Sequence, residues 1–256
     1  MSADSSAKPA RGSMARTERR GSPAKQPRLR IGGLTPLSSA DYPGQLAAVV
    51  FCQGCPWRCG YCHNPHLLPA CGAVEIAWDD VLAFLRRREG LLDAVVFSGG
   101  EPLSQLALAD AVRTVRRMRF RVGLHTGGAY PARLAAVLPM LDWIGFDIKA
   151  PFTEYASVTG VPGSGEKART SARLVLESGV AHEFRTTVHP ELLAPGALER
   201  LAGQVAGLGA TTYVLQEFRV PGCASAALAR STASYLTESF CVGIASKFQS
   251  FALRRA

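Results

Sequence analysis

No stretch of eighteen or more apolar residues occurs in this 256-residue chain, and no apolar segment follows its basic N-terminus. Neither a membrane-spanning helix nor a secretory leader is therefore expected. Arg19 and Arg20 make no twin-arginine export signal for the same reason. A cytoplasmic protein is expected, in a reducing compartment where disulfides are scarce. Acidic side chains are also in short supply: 20 Asp and Glu face 29 Lys and Arg, a net charge of +9. Such a surplus suits nucleic acid in principle, but its placement argues against that partner. Residues 1 to 30 hold eight basic and two acidic side chains, so +6 of the +9 sits in a leader rich in Ser, Ala, Pro and Arg. That composition buries little apolar surface and reads as a disordered tail over 1–28, with Met14 as an alternative start. One domain over 29–256 follows, and a chain with 47% hydrophobic residues has enough apolar mass for a full core.

From Ile31 onward short apolar runs alternate with helical patterns. LAAVVF (46–51), AVVFS (94–98), VGLHT (122–126), WIGFDIK (143–149), EFRTTV (183–188) and TYVLQEF (212–218) have the character of buried parallel strands. Between them Val81, Phe84 and Leu85 share a helical face that opens on Asp79 and Asp80 and ends at Arg86 to Arg88 and Gly90. Leu108, Val112 and Val115 make a second stripe, with Ser104 as an expected N-cap. Ala168, Ala172, Val175 and Leu176 make a third before Gly179. Leu198, Leu201, Val205 and Leu208 make a fourth before Gly209. Repeated βα units of this length predict an α/β fold, most economically a partial, open (β/α)6 barrel of the TIM type; a doubly wound sheet is the alternative. Either fold puts chemistry in the loops after the strands.

The loop after the first of these runs carries four of the seven cysteines in eleven positions, Cys52-x2-Cys55-x3-Cys59-x2-Cys62. A structural zinc site usually separates its two CxxC pairs by a dozen residues or more, and three is a short spacer. A closed four-thiolate iron-sulfur centre is a second possibility. The third is a four-iron cluster held by Cys55, Cys59 and Cys62 alone, with Cys52 pointing away from the loop at the strand end, which leaves one iron open to a substrate. Cys71, Cys223 and Cys241 stand apart in sequence and read as small core residues.

The C-x3-C-x2-C triplet with an aromatic residue, Tyr61, before its last cysteine resembles the signature of radical S-adenosylmethionine (SAM) enzymes. One βα unit later, Ser98-Gly99-Gly100-Glu101-Pro102 is similar to that family's GGE motif. Within the family, the opening IGGLTPLSSADYPGQLAAVVFCQGCPWRCGYCHNP, together with DWIGFDIKAPF, EFRTTV and YVLQEF, resembles the activating proteins of anaerobic ribonucleoside-triphosphate reductase. The likeness runs from about residue 29 to the C-terminus.

The resemblance implies a [4Fe-4S] cluster on Cys55, Cys59 and Cys62, with SAM bound at the open iron. It implies that the Gly99-Gly100-Glu101 turn holds the methionine ammonium. It implies too that Asp147 and Lys149 of Asp147-Ile148-Lys149 contact the ribose hydroxyls and the methionine carboxylate. Many relatives have Thr or Ser at the position of Cys52, which is expected to be a bystander. Many have Asp at the end of the third strand, where it helps hold a cation; this chain reads Leu124-His125-Thr126-Gly127-Gly128 there and no cation site is expected, while His125 is expected either to touch SAM or to be a hydrogen-bonded strand-end histidine, the first being preferred. Arg185 and Gln216 interrupt apolar runs, and line either the cavity or a polar layer of the barrel.

The chemistry implied is reductive cleavage of SAM, with no catalytic side chain beyond the cofactors. A 5′-deoxyadenosyl radical takes a hydrogen atom from a backbone glycine of the reductase. Flavodoxin or ferredoxin is the implied electron donor. Only 36 residues separate Cys62 from Ser98, too few for an inserted ferredoxin module. The competing readings are a radical SAM enzyme for another glycyl-radical partner or a small molecule, and an iron-sulfur or zinc protein closed by all four clustered cysteines.

Overall fold

A computed structural model describes residue 1 and residues 28–223, 225–230 and 234–255. The tail expected over 1–28 lies outside these, apart from Met1 and Arg28. The described chain runs β1 (Ile31–Ser38), β2 (Ala47–Cys52), α1 (Trp78–Arg86), β3 (Ala94–Gly99), α2 (Leu108–Arg117), β4 (Arg121–Thr126), α3 (Pro131–Val137) and β5 (Trp143–Asp147). It continues through α4 (Tyr155–Thr159), α5 (Ser164–Ser178), β6 (Ala181–Val188), α6 (Pro195–Gly207), β7 (Thr212–Glu217), α7 (Ala226–Arg230), α8 (Glu238–Ala245) and β8 (Ser250–Arg254).

All eight strands join one sheet in the order β1-β2-β3-β4-β5-β6-β7-β8. Strict sequential order means that each crossover goes the same way, so the sheet is singly wound and open, not doubly wound. The six expected strands are its parallel centre, β2 to β7. Two further strands flank them: β1 pairs antiparallel with β2, and β8 pairs parallel with β7. Fold and expectation agree on a partial α/β barrel.

Alternation along the strands separates two faces. Val50, Val95, Phe97, Val122, Leu124, Ile144, Phe146 and Phe184 pack into the large core with Val81, Leu85, Val112, Val115, Ala172, Val175 and Leu201 of the helices. On the other face Ala47, Val49, Ala94, Val96 and Trp143 form a small cluster with Tyr42. Tyr42 comes from the β1–β2 hairpin and stacks on Trp143 at 5.1 Å, so the hairpin fills the inner face at the strands' N-terminal ends.

The helix ends follow their charges and glycines. α1 begins with Asp79 and Asp80 and closes with Arg86, and α5 ends on left-handed Gly179. Ser104 does not cap α2. It closes a short 3-10 turn, Pro102–Ser104, capped by the Glu101 side chain, and α2 starts only at Leu108. Pro102 and the Glu101 bond to Leu103 N favour a tight turn there over an immediate helix. Of the three isolated cysteines only Cys241 is buried; Cys223 is half-buried and Cys71 is exposed. Cys71 lies in the irregular segment between the cysteine loop and α1, where no element covers it.

Phe184 is fully buried and meets Phe146 edge to face at 5.5 Å. Phe184→Ala is expected to destabilise the iron-free protein by about 3–5 kcal/mol, read from urea unfolding of the reduced chain.

Candidate functional site

The site grows from the end of β2. Cys52 is its last residue, fully buried on the core face, and burial with the nearby Glu101 carboxylate pushes its thiol far up. The chain then turns at Gly54, whose φ is +95°, and is fastened to its own return. Gly54 N donates to Leu67 O (2.8 Å) and Cys55 N to Leu68 O (3.1 Å). The Gln53 amide donates to His66 O and Pro69 O. Trp57 folds under the loop against Gly127, where a Cβ would come within 2.3 Å of its ring, and meets Tyr155 edge to face at 5.7 Å.

This brings Cys55, Cys59, Tyr61 and Cys62 to one wall of a cavity of about 160 Å³. Gly99, Gly100, Glu101, Asp147 and Lys149 line it too. Burial pushes the Cys55 thiol up to about 12, with Glu101 adding to the shift. Burial also raises Cys59, while Lys149 opposes it. Thiols held protonated by burial lose their protons to solvent when a metal centre binds the thiolates in their place.

The turn after β3 lies flat against the cysteine loop. Gly100 N donates to Cys52 O (3.0 Å) and Glu101 N to Gly54 O (2.9 Å). A Cβ on Gly99, whose φ is +121°, would sit 2.3 Å from Cys52 N, and one on Gly100 would sit 2.5 Å from Gly54 O. The two glycines are thus required by this backbone contact, which also puts them at the cavity edge. Glu101 is 2% exposed. Its carboxylate accepts from Leu103 N (3.1 Å), Thr126 Oγ1 (2.8 Å) and Gly127 N (3.0 Å). It straps the β3 turn to the end of β4 at the border of the cavity. Burial lifts its carboxyl to about 7 against the pull of these bonds and of Lys149.

Across the cavity Asp147 ends β5, and Lys149 stands two residues beyond. Asp147 pairs in register with Arg185 of β6, whose Nε donates to Asp147 Oδ1 at 2.9 Å. Lys149 Nζ lies 3.9 Å from Asp147 Oδ2. Burial alone would raise the aspartate, but Arg185 and Lys149 hold it below the usual carboxylate range. Burial would likewise lower the lysine, yet Tyr61, Cys59 and Asp147 hold its ammonium in place. That ammonium sits 5.6 Å from the Tyr61 ring centre and 6.0 Å from that of Trp57. The Tyr155 hydroxyl fixes the backbone beneath, accepting from Lys149 N and donating to Asp147 O. A fixed cation and a fixed anion side by side suit a zwitterionic ligand with hydroxyls.

His125 is not brought to this cavity. Its Nε2 donates to Asp41 O at 2.8 Å, its Nδ1 faces Ser98 Oγ at 3.3 Å, and its ring edge meets Trp143. Burial and the Arg185 charge hold its pKa down to about 4, so the ring is neutral. It belongs to a polar layer of the inner face with Arg185. Gln216 lies on β7 opposite Thr187; Thr187 lines the cavity and Gln216 does not. Sequence reasoning missed Trp57, Thr187 and His63 as cavity residues. The signal for Trp57 was its place inside the cysteine triplet together with Gly127.

The radical SAM superfamily pattern matches residues 49–193, more than half of the chain, and the chain belongs to that superfamily. It is 28% identical over 198 residues to a candidate glycyl-radical enzyme activating enzyme of Methanocaldococcus jannaschii, covering 73% of this chain and 79% of that one. It is 32% identical over 137 residues to the pyruvate formate-lyase-activating enzyme of Clostridium pasteurianum, covering 51% of this chain and 57% of that one. A third relative, the 7-carboxy-7-deazaguanine synthase of Methanopyrus kandleri, is 29% identical over 132 residues, with 43% and 52% covered. Among solved structures, QueE from Escherichia coli superposes with a TM-score of 0.51 at 18% identity, over 90% of this chain and 94% of that one. Streptococcus suis SuiB bound to SAM gives 0.61 at 11% identity, over 80% and 48%. These likenesses show the fold.

The superfamily uses a [4Fe-4S] cluster and SAM, and the residues here fit both. Three thiols face one cavity while the fourth cysteine of the run is walled off in the core. Among the described residues no three His, Cys, Asp or Glu side chains converge on a single metal-ion position; ligands gripping separate corners of a cube need not converge. No helix among the described residues is long and apolar enough to cross a membrane.

Glu101 gives a pH signature. Its folded pKa lies above its ordinary value, so its contribution to stability is complete below pH 4.5 and is lost as pH rises through about 7. Relative to Glu101→Gln, the iron-free parent is expected to lose about 3 kcal/mol of unfolding free energy across that window, from ~2.5 pK units at ~1.36 kcal/mol each. Urea titrations of both proteins at pH 4.5, 6 and 8 check it, and parallel pH profiles would contradict it.

Proposed function

We propose that this chain activates a glycyl-radical enzyme, and that its target is anaerobic ribonucleoside-triphosphate reductase. The observation that carries the reading is the division of the four clustered cysteines, three on the cavity wall and one sealed behind it. Similarity to two activating enzymes supports the reaction class, and the stretches that resemble ribonucleotide reductase activators support the target.

In this reading Cys55, Cys59 and Cys62 hold the cluster at three corners. Lys149 receives the methionine carboxylate, and Asp147 Oδ2 receives ribose hydroxyls while Arg185 occupies Oδ1. Carbonyl groups of the Gly99–Gly100 turn meet the methionine ammonium, with Glu101 holding the turn in shape. Tyr61 and Trp57 cover the lysine and keep water away. Bound at these residues, the cluster and SAM would supply one-electron reductive cleavage of the sulfonium's bond to the 5′ carbon, with methionine as the leaving group and hydrogen abstraction from the target glycine as the outcome. A flavodoxin or ferredoxin delivers that electron in the cytoplasm.

A specific observation favours one other reading, a small-molecule substrate: the likeness to a 7-carboxy-7-deazaguanine synthase. Anaerobic reconstitution followed by electron paramagnetic resonance decides. The parent and Cys52→Ala are expected to take up iron and sulfide and to cleave SAM, whereas Cys59→Ala is not. Lys149→Met is expected to raise the KM for SAM about 10–100-fold, the worth of one lost charge-assisted hydrogen bond. Adding the reductase should produce a glycyl doublet. Cleavage of SAM without a doublet would favour a small molecule, and cluster loss in Cys52→Ala would favour four protein ligands.

A further inference from the structure

The sheet is open, yet its first and sixth parallel strands are tied together above it. The loop Gly60–Asn64, on the β2 side, touches the segment that leaves β7 at Phe218. His63 Nε2 lies 2.7 Å from Arg219 O. A carbonyl only accepts, so that ring nitrogen carries the proton and donates. The His63 ring stacks on Phe218 at 5.3 Å and 25°. Phe218 also meets the fully buried His189 edge to face at 4.8 Å, and His189 Nε2 donates to Leu228 O at 3.0 Å.

Two more contacts close the circuit. Cys223 Sγ donates to Gly60 O at 3.8 Å. Gly222, with φ at +90°, passes so close that a Cβ would sit 2.7 Å from His63 O. Gly60 and His63 bracket Cys62, the last thiol on the cavity wall, and His63 itself lines the cavity. A left-handed glycine packed on the residue after that cysteine fixes the loop where its own hydrogen bonding is thin: Cys62 N bonds only one turn back, to Cys59 O.

We infer that the segment Phe218–Cys223 is a clamp that positions Cys59 and Cys62, with His63 and Gly222 as its positioning residues. The inference rests on the reading of the three thiols as cluster ligands. It supplies what an open barrel lacks, a rigid reference on the far side of the mouth for the loop that carries the cofactor. It also links the cysteine loop to the end of β7, so that anything displacing the β7 segment moves the third thiol.

The test begins with iron-free, reduced, full-length protein. Each cysteine is alkylated with N-ethylmaleimide and followed by mass spectrometry, with exposed Cys71 and buried Cys52 as internal controls. In Gly222→Ala, and in His63→Phe, which keeps the stacking ring but loses the donor, labelling of Cys59 and Cys62 is expected to rise about tenfold while Cys71 and Cys52 keep their parent rates. His63→Gln, which retains a side-chain N–H, is expected to fall between parent and His63→Phe. In iron-loaded protein both disruptive variants should surrender iron to a chelator faster. Their reduced paramagnetic signal should need more SAM to change than the parent's does.

Unchanged labelling of Cys59 and Cys62 in both variants would overturn the clamp. So would a rise at Cys52 in step with them in both, which would mark general loosening. The labelling rates do not depend on cofactor. A parent that takes up no iron would therefore sink the proposed function while the clamp was still judged on its own.

Discussion

Everything at the site depends on one backbone lying directly upon another. The turn after β3 rests on the loop after β2 through Gly100 N to Cys52 O and Glu101 N to Gly54 O, and neither Gly99 nor Gly100 leaves room for a Cβ. This contact sets the distance between the wall of thiols and the wall that faces it. It is a consequence of parallel register: Cys52 pairs with Gly99, so both loops depart at the same height. A side chain at either glycine would separate the walls before it disturbed any ligand-binding group.

Charge is organised by the same logic of neighbouring strand ends. β5 and β6 bring Asp147 beside Arg185, and the arginine, itself almost wholly buried, neutralises one oxygen of the carboxylate. Lys149 is 13% exposed and approaches the other oxygen only loosely, at 3.9 Å. A tight Lys149–Asp147 pair would leave neither partner available to a ligand. Arg185 takes that role, which leaves the lysine poised under the Tyr61 and Trp57 rings. Glu101 shows a different arrangement: two backbone N–H groups and the Thr126 hydroxyl, with no ion pair among the described residues, occupy its carboxylate and hold two loops together.

Much of this was legible from the residues alone. The six central strands, the four principal helices and the cavity residues Cys55, Cys59, Cys62, Gly99, Gly100, Asp147 and Lys149 follow local patterns of two, three or four residues, the scale on which sequence speaks most clearly. What escaped was set by contacts distant in the chain. β1 carries a mixed pattern because it lies at the sheet edge, laddered to β2 and bridged at Ile31 to Ile76, and β8 depends on β7 for its existence as a strand. His125 has the chemistry of a ligand and the right strand, but its odd position faces the inner layer, where Asp41 of a hairpin 84 residues earlier meets it. Ser104 has the chemistry of a cap, but the Glu101 side chain caps a tight turn that ends at Ser104 and α2 starts four residues later behind Ala107. Arg185 was noticed as a polar break, while its pairing with Asp147 needed the register of two strands.

Tyr42 has a bearing on traffic. With the β1–β2 hairpin folded in and that ring stacked on Trp143, the N-terminal end of the inner face is filled, and the cavity lies at the strands' C-terminal rims. For the proposed activation, this favours approach of the target polypeptide from the rims over threading past Tyr42 like a string through a bead. Such a target would arrive as a bent loop or a free end, and withdraw by the way it came.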